Sequence, residues 1–220
     1  MVKTINDFEY VIKVLDKAYK KSKAPSVTLI ANTTRNPFNI LISTIISLRT
    51  KDEVTIQSSK RLFEKVNSFK DIQKLSKKNL EKLLYPAGFY KTKAMNIKKI
   101  ADIIENNFNG IVPDTIEELL KLPGVGRKTA NLVIILGFNK PGLCVDTHVH
   151  RITNRFGWVK TNKPDETEFA LRDYLPSKYW RIINDYLVSY GQTICKPISP
   201  YCSKCELNAI CPKINVSKTR

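Results

Sequence analysis

Long apolar runs are missing from this 220-residue chain, and that excludes a class. No stretch approaches the roughly 20 apolar residues of a membrane-spanning helix. The N-terminus, Met1-Val2-Lys3-Thr4-Ile5-Asn6-Asp7, lacks the apolar core of a signal peptide, so the expectation is a cytoplasmic protein that meets no membrane. Strand patterns are scarce as well. Only Val27-Thr28-Leu29-Ile30 reads as one, and it is short with no evident partner, which leaves an all-α fold. Low-complexity linkers and internal repeats of useful length are absent. Acidic residues are few: 20 Asp and Glu stand against 37 Lys and Arg, a formal net charge of +17. Such an excess implies an anionic partner, either nucleic acid or an acidic membrane surface.

Hydrophobic residues make up 42% of the chain, enough for the core of one large or two small domains. Apolar residues recur with helical period from Ile5 to Tyr19, and Ala24-Pro25-Ser26 ends that helix. Asn36-Pro37 is a cap and first-turn signal for a buried helix from Phe38 to about Leu48. Ser47-Leu48-Arg49-Thr50-Lys51-Asp52 breaks it, a polar interruption suited to a site surface, and Asp52 is expected to cap the next helix. A shorter helix runs from Asn79 to Tyr85. The loop Ala87-Gly88-Phe89-Tyr90 follows, its two aromatics read from the residues alone as anchors in the core. Lys91 to Phe108 forms a long helix, Pro113-Asp114 begins another, and helices follow near Thr147 to Phe156, Pro164 to Tyr174 and Ser177 to Tyr190. Basic clusters at Lys17 to Lys23, Lys91 to Lys99 and Lys213 to Arg220 each read as a solvated face.

One stretch organises the rest: Leu122-Pro123-Gly124-Val125-Gly126-Arg127-Lys128-Thr129-Ala130, then Val145-Asp146-Thr147-His148, with the aspartate eighteen residues after the lysine. Apolar periodicity on both sides sets the two glycines in a turn between helices, a helix-hairpin-helix pattern. Successive amides in such a turn, close to a helix N-terminus, form a cup that fits a nucleic-acid phosphate. Lys128 falls in the first turn of the second helix, where the positive end of the macrodipole disfavours a protonated amine and so favours a nucleophile. The plainer reading is a tight connection followed by a solvated lysine. Asp146, likewise, is either a partner to that lysine or simply a helix N-cap.

Cys195, Cys202, Cys205 and Cys211 form C-x6-C-x2-C-x5-C. Zinc sites usually set two close pairs of Cys or His, and here there is one; His148 and His150 lie far away in sequence. An all-cysteine iron-sulfur site is therefore favoured over zinc, as a staple that fixes irregular backbone and presents Lys196 and Lys204 to phosphate. A disulfide framework is unexpected in the cytosol. Cys144, between Leu143 and Val145, reads as a buried thiol outside the set.

With the hairpin, Val145 to His148 and the four cysteines in view, nearly the whole chain resembles the endonuclease III family of DNA glycosylase/AP lyases, in the helix-hairpin-helix glycosylase superfamily. The resemblance implies a two-lobed α-helical protein: a six-helix barrel lobe at residues 30–140, and a discontinuous iron-sulfur cluster lobe of residues 1–29 and 141–220. It implies double-stranded DNA with a damaged base as partner, a monomer associated with the nucleoid, and removal of oxidised pyrimidines through a Schiff base with strand cleavage by β-elimination. Carried onto this chain, it makes Lys128 the nucleophile and Asp146 the catalytic carboxylate. It likewise makes Cys195, Cys202, Cys205 and Cys211 the ligands of a 4Fe-4S cluster. Gly124, Gly126 and Arg127 then belong to the DNA-binding hairpin, which often carries a monovalent cation. Arg49 and Phe89 occupy the positions inserted where the damaged nucleotide leaves the helix. Glutamine is common where this chain has Arg49, and leucine where it has Phe89.

Overall fold

The computed structural model describes residues 5, 7–22 and 24–220. Residues 1–4 and 6 of the N-terminal segment and Lys23 of the first basic cluster lie outside them. Every regular element among the described residues is helical, and packing divides the chain into two compact units, Pro25–Gly142 and Met1–Ala24 with Leu143–Arg220.

In the first unit the helices are α2 (Ser26–Thr34), α3 (Pro37–Ser47), α4 (Asp52–Phe63), α5 (Phe69–Lys74), α6 (Lys77–Leu84), α7 (Tyr90–Phe108), α8 (Ile116–Leu119) and α9 (Arg127–Phe138). α3 is the anchor. Asn36 caps it by accepting the Phe38 amide, Pro37 supplies a preset first turn, and the helix packs against α2, α4, α7 and α9. Phe38, Ile40, Leu41, Ile42, Ile45 and Ile46 are all buried, at about 1.5–3 kcal/mol for each such side chain. Ser43 and Thr44 are tolerated there because their hydroxyls fold back onto the Asn39 and Ile40 carbonyls at 2.6 Å.

Val27 to Ile30, the strand-like run, lies in α2 instead. α2 packs Val27 and Ala31 into the α3 core, and tertiary burial overrides the weak preference of the β-branched residues against helix. Asp52 does not cap α4. It is the first helical residue, and its Oδ1 accepts the Ser26 amide at 3.2 Å, so it serves the start of α2. α5 is a further helix with no counterpart in the sequence reading, since six residues are too few to display a period. Serines cap α5 and α6, Ser68 accepting the Asp71 amide and Ser76 the Asn79 amide.

The second unit holds α1 (Phe8–Tyr19), α10 (Thr147–Arg155), α11 (Pro164–Tyr174), a 3-10 turn at Ser177–Tyr179 and α12 (Trp180–Thr193). Val11 and Leu15 of α1, Val149 and Ile152 of α10, and Ile183 and Leu187 of α12 share one apolar core. Trp158 joins it, its indole N–H satisfied by the Ile5 carbonyl at 2.7 Å. Beyond α12 the chain is irregular and carries the cysteines. The basic tail is folded onto that loop: Ser203 N–H donates to the Arg220 carbonyl at 2.9 Å and Arg220 Nε to Ser199 O at 3.0 Å.

Candidate active site and nucleic-acid interface

The hairpin between α8 and α9 is pinned from beneath. Leu122 and Val125 are buried and the Val125 amide donates to the Leu122 carbonyl at 3.1 Å, closing the turn. Gly124 adopts φ +79°, a conformation glycine takes without strain, and a Cβ there would press on the Asn96 amide group of α7. Gly126 is the N-cap of α9 and contributes no side chain, and open space surrounds the point where a Cβ would stand. The first amides of α9 therefore point outward with no side chain of the cap position over them. Arg127 and Lys128 open that helix, Arg127 half-buried and Lys128 exposed, while Thr129 and Ala130 turn inward. Asn131 steadies the turn by donating to the Arg127 carbonyl at 3.1 Å.

Two further expected residues lie in the same unit. Arg49, in the break after α3, and Phe89, at the N-cap of α7, are both exposed and both in the left-handed region, φ +52° and +56°. Phe89 is 61% exposed, so it is not the core anchor that its loop position suggests; Tyr90 packs against the core instead. The Arg49 guanidinium stands 5.6 Å from the Phe89 ring centroid, within cation–π range. Beneath them Lys93 is buried, contrary to the solvated face expected of Lys91 to Lys99. Burial pushes its ammonium down to about 8, so it still carries its charge at neutral pH.

Asp146 belongs to the other unit, where it caps α10. Its Oδ1 accepts the His148 amide at 2.8 Å and the Val149 amide at 2.9 Å. The N-cap reading thus holds, and because both bonds fall on one oxygen of a half-buried carboxylate it does not exclude chemistry by the group. The same helix reaches the cysteine loop at its other end. Arg151 Nη2 donates to the Cys195 carbonyl at 2.9 Å; Arg155 donates to Lys196 O and Pro197 O, each at 2.7 Å, and to Cys195 Sγ at 3.3 Å. Burial, chiefly, lowers the Arg151 value. These two arginines have no motif in the sequence. The signal available was their four-residue spacing on the polar side of an amphipathic helix.

Cys195, Cys202, Cys205 and Cys211 line one pocket together with Phe156, Tyr190 and Val216. Tyr190 Oη lies 3.0 Å from Cys205 Sγ. Burial raises the Cys211 thiol to about 11 and also raises Cys202. Two thiols so raised, in a hollow that the other two sulfurs share, are stable as thiolates only beside a strongly cationic group. The donor set is all sulfur, with an arginine and a phenol directed at two of the atoms, and it fits an iron-sulfur cluster. Among the described residues no three His, Cys, Asp or Glu side chains converge on a single metal ion, whereas a cluster takes one cysteine for each iron. Cys144 is fully buried and apart from the set. At the hairpin, the Leu122 and Gly126 carbonyls each accept one amide, from Val125 at 3.1 Å and Ala130 at 2.9 Å.

Residues 42–177 match the family described as HhH-GPD superfamily base excision DNA repair protein. The helical fold with its glycine hairpin is thus that of a helix-hairpin-helix DNA repair protein. Endonuclease III of Thermotoga maritima is 51% identical over 176 residues, 80% of this chain and 83% of that one. The chain belongs to the endonuclease III family. Its fold is similar to that of a trapped endonuclease III–DNA covalent intermediate in an estranged-adenine complex, with TM-score 0.80, 34% identity, and coverage of 92% of this chain and 94% of that one. It is also similar to a thermostable thymine-DNA glycosylase, with TM-score 0.79, 27% identity and the same coverage.

Proposed function

We propose that this chain excises oxidised pyrimidines from duplex DNA through a Schiff base on Lys128 and then cuts the strand. Membership of the endonuclease III family makes it a base excision DNA glycosylase. The observation that carries the finer reading is the position of Lys128: an exposed lysine in the first turn of α9, directly after a hairpin whose Gly126 cap puts no side chain over the start of the helix.

A base inside the stack cannot be reached, so the nucleotide must leave the helix, at a cost of a few kcal/mol that is least for damaged bases. Arg49 and Phe89 fill the gap it leaves, and the Gly124–Gly126 turn with Arg127 holds a phosphate. The Lys128 amine adds to the sugar C1′ as the bond from C1′ to the base breaks, the base leaving with the lysine's proton; the C1′–O4′ bond then opens, O4′ taking up a proton, to give the Schiff base. Loss of a proton from C2′ then expels the 3′ phosphate oxygen. Asp146 stabilises the positive charge that develops and passes the lysine proton on to the base. Cys195, Cys202, Cys205 and Cys211 would hold a 4Fe-4S cluster, which when bound supplies a cross-link among four loop positions. Arg155 and Tyr190 orient Cys195 and Cys205 for it. A monovalent cation at the hairpin, a monomeric state and action in the cytoplasm on nucleoid DNA belong to the same reading.

Borohydride trapping on a thymine glycol duplex tests it. Lys128→Gln is expected to abolish the covalent adduct, and an adduct at the wild-type rate would displace Lys128 as nucleophile. Asp146→Asn is expected to slow base removal far more than it weakens binding; equal losses reduce Asp146 to a helix cap. A guanine–thymine duplex belongs in the same panel, given the likeness to the thymine-DNA glycosylase. Binding without nicking on every duplex would leave a DNA-binding module with no enzyme activity.

A further inference from the structure

Lys93 sits in the first turn of α7 among exposed lysines, yet it is only 6% exposed. Its ammonium donates to the carbonyls of Ile46 and Leu48, both at 2.6 Å, and to Oγ1 of Thr50 at 2.7 Å. Arg49 lies between two of these three anchors. The Thr50 oxygen also accepts the Gly88 amide at 3.1 Å. Gly88 stands so close to the Arg49 carbonyl that a Cβ would overlap it. One residue on is Phe89. A single buried cation thus ties together two segments about forty residues apart in the chain, each presenting one exposed side chain.

Both presented residues are left-handed without being glycine, a conformation that persists only where the surroundings over-determine it. Charge-assisted bonds from a fixed ammonium on one side and the Gly88 contact on the other supply that constraint. A side chain that is to hold open a gap in stacked bases must not yield when the bases press back, and pre-organisation reduces the ordering cost of insertion. We propose that Lys93 is a positioning residue for base extrusion, locking Arg49 and Phe89 into one two-pronged wedge. The inference rests on the wedge reading of Arg49 and Phe89 given above.

The test compares base excision with cleavage at a preformed abasic site, where no base has to be unstacked. In full-length protein, Lys93→Met is expected to lower single-turnover excision of thymine glycol at least tenfold. The fluorescence rise of a 2-aminopurine beside the lesion falls with it. Cleavage of an abasic duplex should drop less than threefold and borohydride trapping there should persist. Lys98→Met, which removes three similar bonds at the end of α5, is expected to keep both reactions within twofold. If Lys93→Met gives no cooperative melt, Thr50→Val opens the same knot and should cost three- to tenfold in excision alone. Excision within twofold of wild type in a variant that melts cooperatively, or equal losses in the two reactions, overturns the proposal. Should Arg49→Ala and Phe89→Ala also leave excision intact, the wedge reading itself fails; should they lose it while Lys93→Met and Thr50→Val do not, only the positioning role fails.

Discussion

α7 carries two lysines that do the same physical work at different places. Lys98 donates to the carbonyls of Ile72, Gln73 and Leu75 at 3.1, 2.7 and 2.9 Å, closing the end of α5. Lys93 donates to Ile46, Leu48 and Thr50 and closes the end of α3. In each case an ammonium binds carbonyls at the C-terminal end of a helix, with a favourable sign relative to the macrodipole. The difference lies in what the closed segment carries. Past α5 the chain goes straight into the Ser76 cap of α6, whereas past α3 it presents Arg49. Identical chemistry is structural in one place and bears on the proposed site in the other.

Stability separates the pair most sharply. In Lys93→Met the Ile46 carbonyl stays buried with no donor in place of the lysine, and a loss of about 3 kcal/mol is expected. In Lys98→Met the carbonyls lie at a half-buried edge where water substitutes, and about 1 kcal/mol is expected. Urea midpoints of the two variants, read with the m-value held constant, check the ranking. Equal losses would mean that Lys93 is no more enclosed than Lys98 in solution, and the comparison would collapse to two ordinary helix caps.

None of this was legible in the string Lys91-Thr92-Lys93, where one lysine looks like its neighbour. Burial of a lysine is decided by whether carbonyls from a distant helix end converge on it, and those carbonyls belong to a segment more than forty residues earlier. Sequence patterns see periods, caps and glycines, which are local. That is why the hairpin, the Asp146 cap and the four cysteines could be read from the residues, and why α3 was visible from its apolar run. α2 was missed for the complementary reason: Val27 to Ile30 favours strand locally, and the burial of Val27 and Ala31 against α3 outweighs that preference. Spacing places Asp52 at the start of the nearest helix, and it serves the start of another. Phe89 shows a further limit. Aromatics belong inside by composition alone, and only a left-handed cap residue held by its neighbours turns one outward.

The start of α5 offers the gentlest test of the comparison, because that helix is closed at both ends. Asp71 Oδ2 accepts the Asn67 amide at 3.1 Å and the Ser68 hydroxyl at 2.9 Å, while Ser68 Oγ accepts the Asp71 amide at 3.2 Å, a reciprocal box. The Asn67 amide, first among these partners, holds the carboxyl below its usual value. A depressed carboxylate contributes stability that is complete above the unfolded value near 4 and is lost as pH falls through the folded value. Wild-type protein should therefore lose stability on acidification below about pH 4 more steeply than Asp71→Asn, which has no charge there to lose. If urea midpoints of the two fall in parallel from pH 5 to pH 3, the box adds nothing as an anion and α5 is held by Lys98 and its apolar face alone. In that case the two lysines would differ less than their surroundings suggest, since the α5 end would then lean on its ammonium as fully as the α3 end does.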